Sequence, residues 1–581
     1  MHETSRWVVH QVRDVGEALV AAMSAGGIDH VFFTSGSDIV FFQEAIAKIR
    51  AEGGAAIRLV TVPHEHVSLN AALGYAAVSG KPTATAAHAD AGTLHYGAAI
   101  HTAFRSGLPI LITAGAPPTA RSGTMRGGRD EGAHLWLQQN LDQNGIVRHY
   151  TKWDHRLEFQ DNPGLVVSRA LQVALSEPRG PVYLSIPREI AFQTLQDTSF
   201  PSAAQLGIPR PAAADSAALR ELAGKLIAAH EPLLILAESG RNPATVPALA
   251  SLSEQLGLAV TDCGFRTHLN FPMTHPHYLA NAALGDADVV LVIEARVPWI
   301  PGAKEPAPGA YVAVIAHDSI HADIPIYELT ADLRLNADPL LAIEALSLAA
   351  ATMLSDTDRK RIAERKARLA AASALHRQAS DRVAAATANA MPIDPRWVSY
   401  QIGKLIGENS ILLEETTPGA GLKEQLRCTR PGSFFANPGS AGGWAAGAAF
   451  GAKLAAPDRD VIAVCGDGFY MFGAPSVALW SAAHHRAPFL AVVYQNRSYS
   501  TGTVRLRQTY PDGYATRSGS EGGYFDPPID FAREAEAAGA YGENVREPHE
   551  VGPALERGLE QTRRGRPAVI AIWLARLLQP D

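Results

Sequence analysis

The chain has 581 residues, 47% apolar and 19% charged, which excludes a disordered or fibrous protein and leaves room for three or so domains, each with an ample core. Its net charge of −7 is small for this length, and basic residues alternate with acids, as in residues 358–366, so that run reads as a solvated helix face and not as a nucleic-acid patch. Three widely spaced cysteines, Cys263, Cys428 and Cys465, give neither a disulfide framework nor a metal spacing; with no signal-peptide core and no apolar run of membrane-spanning length, the expectation is a reduced, cytoplasmic protein.

In chain order, residues 12–25 have the period of an amphipathic helix, and Val31-Phe32-Phe33 is a short strand running into the loop Thr34-Ser35-Gly36-Ser37-Asp38. Strand-length apolar runs recur at 59–62, 83–87, 110–113 and 182–186, with helical stretches between them. Such alternation predicts a doubly wound parallel sheet. Residues 192–215, rich in Pro, Ala, Ser and Gln, read as a linker. A second βα block has strands at 232–236, 289–293 and 311–315, a charged Ala-rich helix is expected over about 356–390, and Pro392-Ile393-Asp394-Pro395 opens a third block. The fold class expected is α/β, with three parallel-sheet domains over 1–191, 216–350 and 392–581; blocks one and three are candidate copies of one sheet plan.

The third block contains the most specific pattern. The apolar run 461–465 ends in Gly466-Asp467-Gly468, and the run 489–494 ends in Gln495-Asn496, with a helical stretch between, so a β-α-β unit delivers Asp467 and Asn496 to the carboxyl end of one sheet. A carboxylate and an amide oxygen there suit a hard cation such as Mg²⁺, and the flanking glycines admit a diphosphate close to the backbone. Gly-Asp-Gly alone is most simply a tight turn; the second strand end at this spacing makes it informative. In the first block, Pro63-His64-Glu65-His66 stands between a strand and a helix, where Glu65 by itself is a helix-start acid facing the dipole.

Gly466-Asp467-Gly468 with Gln495-Asn496 resembles the signature of thiamine diphosphate (ThDP) enzymes, in which the second element is Asn-Asn; the Gln is a departure. The resemblance implies metal ligation by Asp467, the Asn496 side chain and the Ser498 carbonyl. It implies cofactor contacts from Gly36, Glu65, Thr416, Thr417 and Gly442, and from Gly466, Asp467, Gly468, Asn496 and Tyr499. His64-Glu65, Gly74-Tyr75-Ala76 and Gly80-Lys81-Pro82 resemble the pyrimidine-binding domain of the acetolactate synthase and benzoylformate decarboxylase group. There the matching glutamate hydrogen-bonds the aminopyrimidine ring and sets off removal of the thiazolium C2 proton, which makes Glu65 a catalytic candidate. The likeness covers nearly the whole chain and implies pyrimidine-binding, central and diphosphate-binding domains. Because that family seats the cofactor between the first domain of one subunit and the third of another, it also implies a homodimer at least, with a homotetramer expected.

His88-Ala89-Asp90-Ala91-Gly92-Thr93 resembles the His-Ser-Ala-Ala-Gly-Thr turn of benzoylformate decarboxylase, which implies His88 as a proton donor and acceptor; the plain alternative is a loop histidine bonded to backbone. Asp90 and His95 either tune His88, meet substrate or are solvated, and Ser37 either donates to a substrate carboxylate or caps a helix. The second catalytic histidine of that decarboxylase has no counterpart in Glu294 to Pro301, and the FAD-associated pattern of acetolactate synthases is missing there, so FAD is not implied. Gly442 falls where a bulky apolar residue usually props the cofactor, and Trp444 is expected to supply that support. The Gly- and Tyr-rich stretch 510–528 is expected to be a lid, and His484-His485 a charged pair complementing a helix C-terminus.

The resulting expectation is a ThDP- and Mg²⁺-dependent enzyme that makes or breaks a C–C bond beside a carbonyl, as a 2-oxo acid decarboxylase or an acetolactate synthase-like carboligase. Its alternatives are a lyase of 2-hydroxy ketones or 2-hydroxyacyl-CoA and, from another class, a non-catalytic ThDP-binding sensor, against which Glu65, Asp467 and Asn496 count. A nucleotide-dependent oxidoreductase would carry a Gly-rich fingerprint after its first strand, and none is found.

Overall fold

Continuous apolar runs such as Val289–Ile293 and Leu490–Gln495 are buried along their whole length, as strands covered on both faces by helices must be. The computed structural model describes residues 7–576 except 55, 131, 203, 204 and 417. In it these runs assemble into three all-parallel sheets. The first has the order Arg58–Thr61, His30–Phe33, Thr83–Ala87, Ile110–Ala116, Val182–Pro187, Asp154–Arg156. The third has the order Phe434–Ala436, Ser410–Glu415, Asp460–Gly466, Leu490–Gln495, Ala568–Trp573, Tyr541–Val545. Numbered along the chain within each sheet, both read 2-1-3-4-6-5, so the two six-stranded sheets do share one plan. Between them in the chain lies a five-stranded sheet built around Pro232–Leu236 and Val289–Ile293.

The first and third sheets meet through the helices Glu65–Ser79 and Ala445–Ala455, which touch backbone to backbone. A Cβ on Gly74 would lie 2.0 Å from the Ala448 carbonyl oxygen, and one on Gly451 would lie 1.8 Å from that of Ala71. Only glycine permits that approach. One apolar core, from Phe32 and Leu69 to Phe450 and Val493, therefore runs through both sheets.

The expected linker is more ordered than its composition suggests. Asp197–Pro201 pairs antiparallel with the N-terminal strand Trp7–Gln11, and His10 stacks on Phe200 at 4.6 Å. The connector helix spans Asp356–Ala385, opened by a capping box between Ser355 and Asp358. Its charged face is not wholly solvated: Arg365 is buried, donating to the Ala229 carbonyl at 2.5 Å and to that of Leu256. The three cysteines are buried and unpaired, and among the described residues no helix is long and apolar enough to cross a membrane.

Candidate active site

In both six-stranded sheets the chain reverses its direction of winding between strands 1 and 3, and the crevice at the carboxyl ends of those strands is where ligands enter such folds. In the first sheet this switch point brings together the loop after His30–Phe33 and the turn after Thr83–Ala87. In the third it brings together Glu415-Thr416 and Gly466-Asp467-Gly468. The side chains expected to act are thus delivered to equivalent places on two copies of one framework.

At the first switch point His88 is held at both nitrogens. Its Nδ1 lies 2.6 Å from Asp38 Oδ1 and its Nε2 2.8 Å from Gln138 Oε1. Asp38 is buried, and its second oxygen accepts from the Ala89 N–H at 2.9 Å. The pair fits because two neighbours lack side chains: a Cβ on Gly36 would lie 2.5 Å from His88 Cβ, and one on Gly115 would lie 1.9 Å from Asp38 Oδ2. The Asp38 hydrogen bond outweighs desolvation and pushes His88 up to about 9, so the ring is an imidazolium at neutral pH. Among the alternatives for this histidine, bonding to backbone is therefore excluded by the side-chain partners on both sides.

Glu65 opens its helix buried among the ends of neighbouring elements, with Oε2 3.3 Å from Nδ1 of the exposed His95. Gly92, one turn before His95 in the helix Ala89–His95, leaves the space beside Glu65 Oε1, where a Cβ would approach to 3.0 Å. The next residue, His66, places Nε2 3.2 Å from the Gly443 carbonyl oxygen, to which Asn70 Nδ2 also donates at 3.3 Å. The Glu65 helix start is thereby tied to the loop entering the third sheet's close-packed helix. Asp90 is half-buried, and desolvation raises its carboxyl above the usual range. Ser37 is half-buried beside Asp38, and the following helix Phe41–Ala51 begins after Val40 without a side-chain cap, so Ser37 is not its N-cap.

At the second switch point Asp467 is buried, and desolvation pushes it up to about 6. Its oxygens accept from the Arg497 N–H at 2.5 Å and the Gly468 N–H at 2.9 Å. The Asn496 amide oxygen accepts from the Ser498 N–H at 3.0 Å and the Ser498 hydroxyl at 2.9 Å. The chain passes Arg497 at φ 58°, and the Arg497 N–H bond holds the turn between Asn496 and Ser498 against Asp467. A Cβ on Gly466 or Gly468 would meet nothing nearer than 3.7 Å, so the turn is bare to a ligand. Thr416, half-buried, donates to Glu414 Oε1 at 2.9 Å; Thr417 lies outside the described residues.

Two expectations change, for Trp444 and for the His484-His485 pair. Trp444 is buried in the shared core and caps the helix Ala445–Ala455, while the space on Gly442's Cβ side is filled by Phe469 and Phe472, at 2.9 and 3.2 Å. The apolar side chains at this position are those two rings. His485 does not work by charge: burial lowers it, and it stacks on Phe450 and sits 2.9 Å from the Thr61 carbonyl oxygen, linking the two sheets. Part of the 510–528 stretch is docked, since Tyr499 N–H donates to the Gly523 carbonyl at 2.9 Å and Phe525 N–H to that of Arg497 at 3.0 Å.

Two carboxylates escaped the sequence reading. Asp38 stands one residue past the Gly36-Ser37 loop that was singled out, but its partner is 50 residues away. Glu415, beside Thr416, is fully enclosed and accepts from the N–H groups of Gly443, Trp444 and Ala445 at 2.8–3.1 Å and from Asn437 Nδ2 at 2.7 Å. Desolvation pushes it up to about 7. Its signal was an acid at a strand end; Gln138 has none, lying in an irregular segment.

Comparison with known proteins follows the same division. The N-terminal TPP binding domain of thiamine pyrophosphate enzymes matches residues 13–146, and the C-terminal TPP binding domain matches residues 419–572. Benzoylformate decarboxylase of Pseudomonas aeruginosa is 27% identical over 455 residues, 75% of this chain and 78% of that protein. The acetolactate synthase large subunit of Mycobacterium tuberculosis is 25% identical over 567 residues, 97% and 96% of the two chains. The crystal structure of benzoylformate decarboxylase from Polynucleobacter necessarius superposes with a TM-score of 0.77 over 98% of this chain and all of that one, at 20% identity, a likeness of fold.

Proposed function

We propose, for a chain that belongs to the thiamine pyrophosphate enzymes, that it uses ThDP and Mg²⁺ to decarboxylate a 2-oxo acid, with the carboligase reaction of the same intermediate as its extension. The residues present fit the cofactor. Asp467 is a buried carboxylate with no cationic side chain on its oxygens among the described residues, and with the Asn496 amide oxygen and the Ser498 carbonyl it forms a hard-oxygen donor set for Mg²⁺. Gly466 and Gly468 leave the backbone bare for a diphosphate. When bound, ThDP supplies a nucleophilic carbon that adds to a carbonyl and accepts the electron pair of the bond that breaks.

The chain's own groups do the rest. Glu65 stands at a buried helix start where its carboxyl would hydrogen-bond the aminopyrimidine, with His95 on its second oxygen. The one observation that carries the choice of reaction is the His88–Asp38 pair at 2.6 Å. A cation fixed at the switch point attracts the carboxylate of a 2-oxo acid, and its Nε2–H, now donated to Gln138, is the proton that replaces the departing carbon dioxide. Phe469 and Phe472 provide the apolar wall. Trp136, Leu137 and Leu141 flank Gln138 and are exposed, which supports a second copy of the chain covering this edge in a homodimer.

His88→Ala, assayed against a panel of 2-oxo acids and 2-hydroxy ketones, tests the reading. Cofactor binding and C2–H exchange stay near normal while turnover of the best 2-oxo acid falls about 10²–10⁴-fold, the usual worth of a positioned acid. Turnover like wild type removes His88 from the chemistry; activity on 2-hydroxy ketones alone moves the assignment to a lyase.

A further inference from the structure

The central domain holds a cluster remote in sequence from both switch points. The segment Phe271-Pro272-Met273-Thr274-His275-Pro276-His277 is pinned by Met273 N–H donating to the Cys428 carbonyl at 2.9 Å, and it carries two imidazoles over the end of the helix Thr245–Leu256. His275 Nε2 lies 3.3 Å and His277 Nε2 3.8 Å from Glu254 Oε1 on that helix. The ligand-type atoms of all three residues fall within 4.8 Å of one another.

Two features distinguish this from a surface ion pair. His277 is 1% exposed, and its Nδ1 lies 2.8 Å from Ser253 Oγ. That hydroxyl already donates to the Leu258 carbonyl at 2.9 Å, so it accepts from His277, whose proton is on Nδ1 and whose Nε2 presents a lone pair toward Glu254. An outer hydrogen bond that fixes the tautomer is how metal-binding imidazoles are oriented. Second, adjacent residues of one helix, Ser253 and Glu254, supply both the orienting hydroxyl and the carboxylate. Lys366 now occupies the other oxygen of Glu254.

We propose that Glu254, His275 and His277 form a binding site for a divalent transition metal of the zinc class, with its remaining position open to solvent. Two imidazole nitrogens and one carboxylate select Zn²⁺ or Co²⁺ over Mg²⁺, which takes oxygen ligands, so this site and the Asp467 site bind different ions. Ligation through Nε2 places the His275 ring proton on Nδ1 and releases the contact that Nδ1 now makes with the His277 N–H at 3.1 Å. A bound ion would staple the helix to the segment that Met273 anchors to the third domain.

The test titrates Co²⁺ into the chelator-stripped full chain and follows its visible absorption, with Zn²⁺ and Mg²⁺ as competitors. One Co²⁺ per chain is expected, displaced by Zn²⁺ and not by excess Mg²⁺. Glu254→Gln and His275→Ala each weaken binding by about 10–100-fold or more, as loss of a ligand or its orienting partner does, whereas Asp467→Ala retains it. His277 is left in place because it is buried and its removal would also take away the bond that the Ser253 hydroxyl accepts. Absent uptake, uptake indifferent to both variants, or uptake lost in Asp467→Ala overturns the proposal; the first two leave the ThDP reading untouched, and the third places the ion at the Asp467 site and supports that reading.

Discussion

Replacing Asp38 by Asn keeps the shape of the pair and the acceptor for the Ala89 N–H but removes the charge that holds His88 at about 9. The difference from the ordinary 6.5 is worth about 3 kcal/mol of preference for the imidazolium. At about pH 8 a ring that titrates at about 9 is about 90% protonated, and one returned to about 6.5 is about 3% protonated, so kcat/KM falls about 30-fold from occupancy alone. At about pH 6 both rings are mostly protonated and the two enzymes nearly agree, while above about pH 9 the ratio approaches about 300. Linkage gives the same window: the folded value is raised, so the pair's contribution to stability is complete below 6.5 and is lost as pH rises through about 9. The assay is a set of kcat/KM profiles for wild type and Asp38→Asn on the best 2-oxo acid. A wild-type-to-variant ratio that stays constant across this range would refute an acid role for His88.

Glu65→Gln cannot pass a proton, so C2–H exchange of bound ThDP, followed by NMR, slows by about 10²-fold or more; exchange at the wild-type rate leaves Glu65 as a helix-start residue. Asp467 must lose its proton to ligate, so Mg²⁺-dependent ThDP affinity measured by calorimetry drops about tenfold per pH unit below about 6 in wild type, and is lost at all pH values in Asp467→Ala. In the metal-free chain the same raised value makes stability decline between about 4 and about 6, because the folded state keeps a proton the unfolded chain releases. Gly451→Ala places a methyl 1.8 Å from the Ala71 carbonyl oxygen and is expected to destabilise the chain by about 1–3 kcal/mol. An unaltered thermal midpoint would show that the helix crossing yields easily.

How far the sequence reveals this protein depends on how local each determinant is. Asp467, Asn496 and Glu65 are legible because a strand end followed by a helix start is written in consecutive residues. The strand order 2-1-3-4-6-5 is not, since periodicity marks strands without saying which pair. The His88–Asp38 pair needs two loops brought across a switch point, and only the fold makes them neighbours. Trp7–Gln11 has two adjacent exposed valines and no alternation, so nothing in it announced a strand until its partner at Asp197–Pro201 was seen. Trp444 and Phe469 are both aromatics beside a glycine turn; which one turns inward to the core is decided by the backbone at Gly442 and Gly443.

The contact of Gly74 with Ala448 and of Gly451 with Ala71 also limits how this enzyme can be recombined with its relatives. Where main chain meets main chain, no side chain is available to absorb a mismatch, so the two six-stranded halves are interchangeable only as a matched set. A chimera that imports the first half from another protein inherits that protein's answer to Gly74 while keeping this one's Gly451. A single crossover in the central sheet separates Glu65–Ser79 from Ala445–Ala455 and so tests that fit directly, whereas two crossovers that both fall between the helices exchange the central sheet and leave the contact intact.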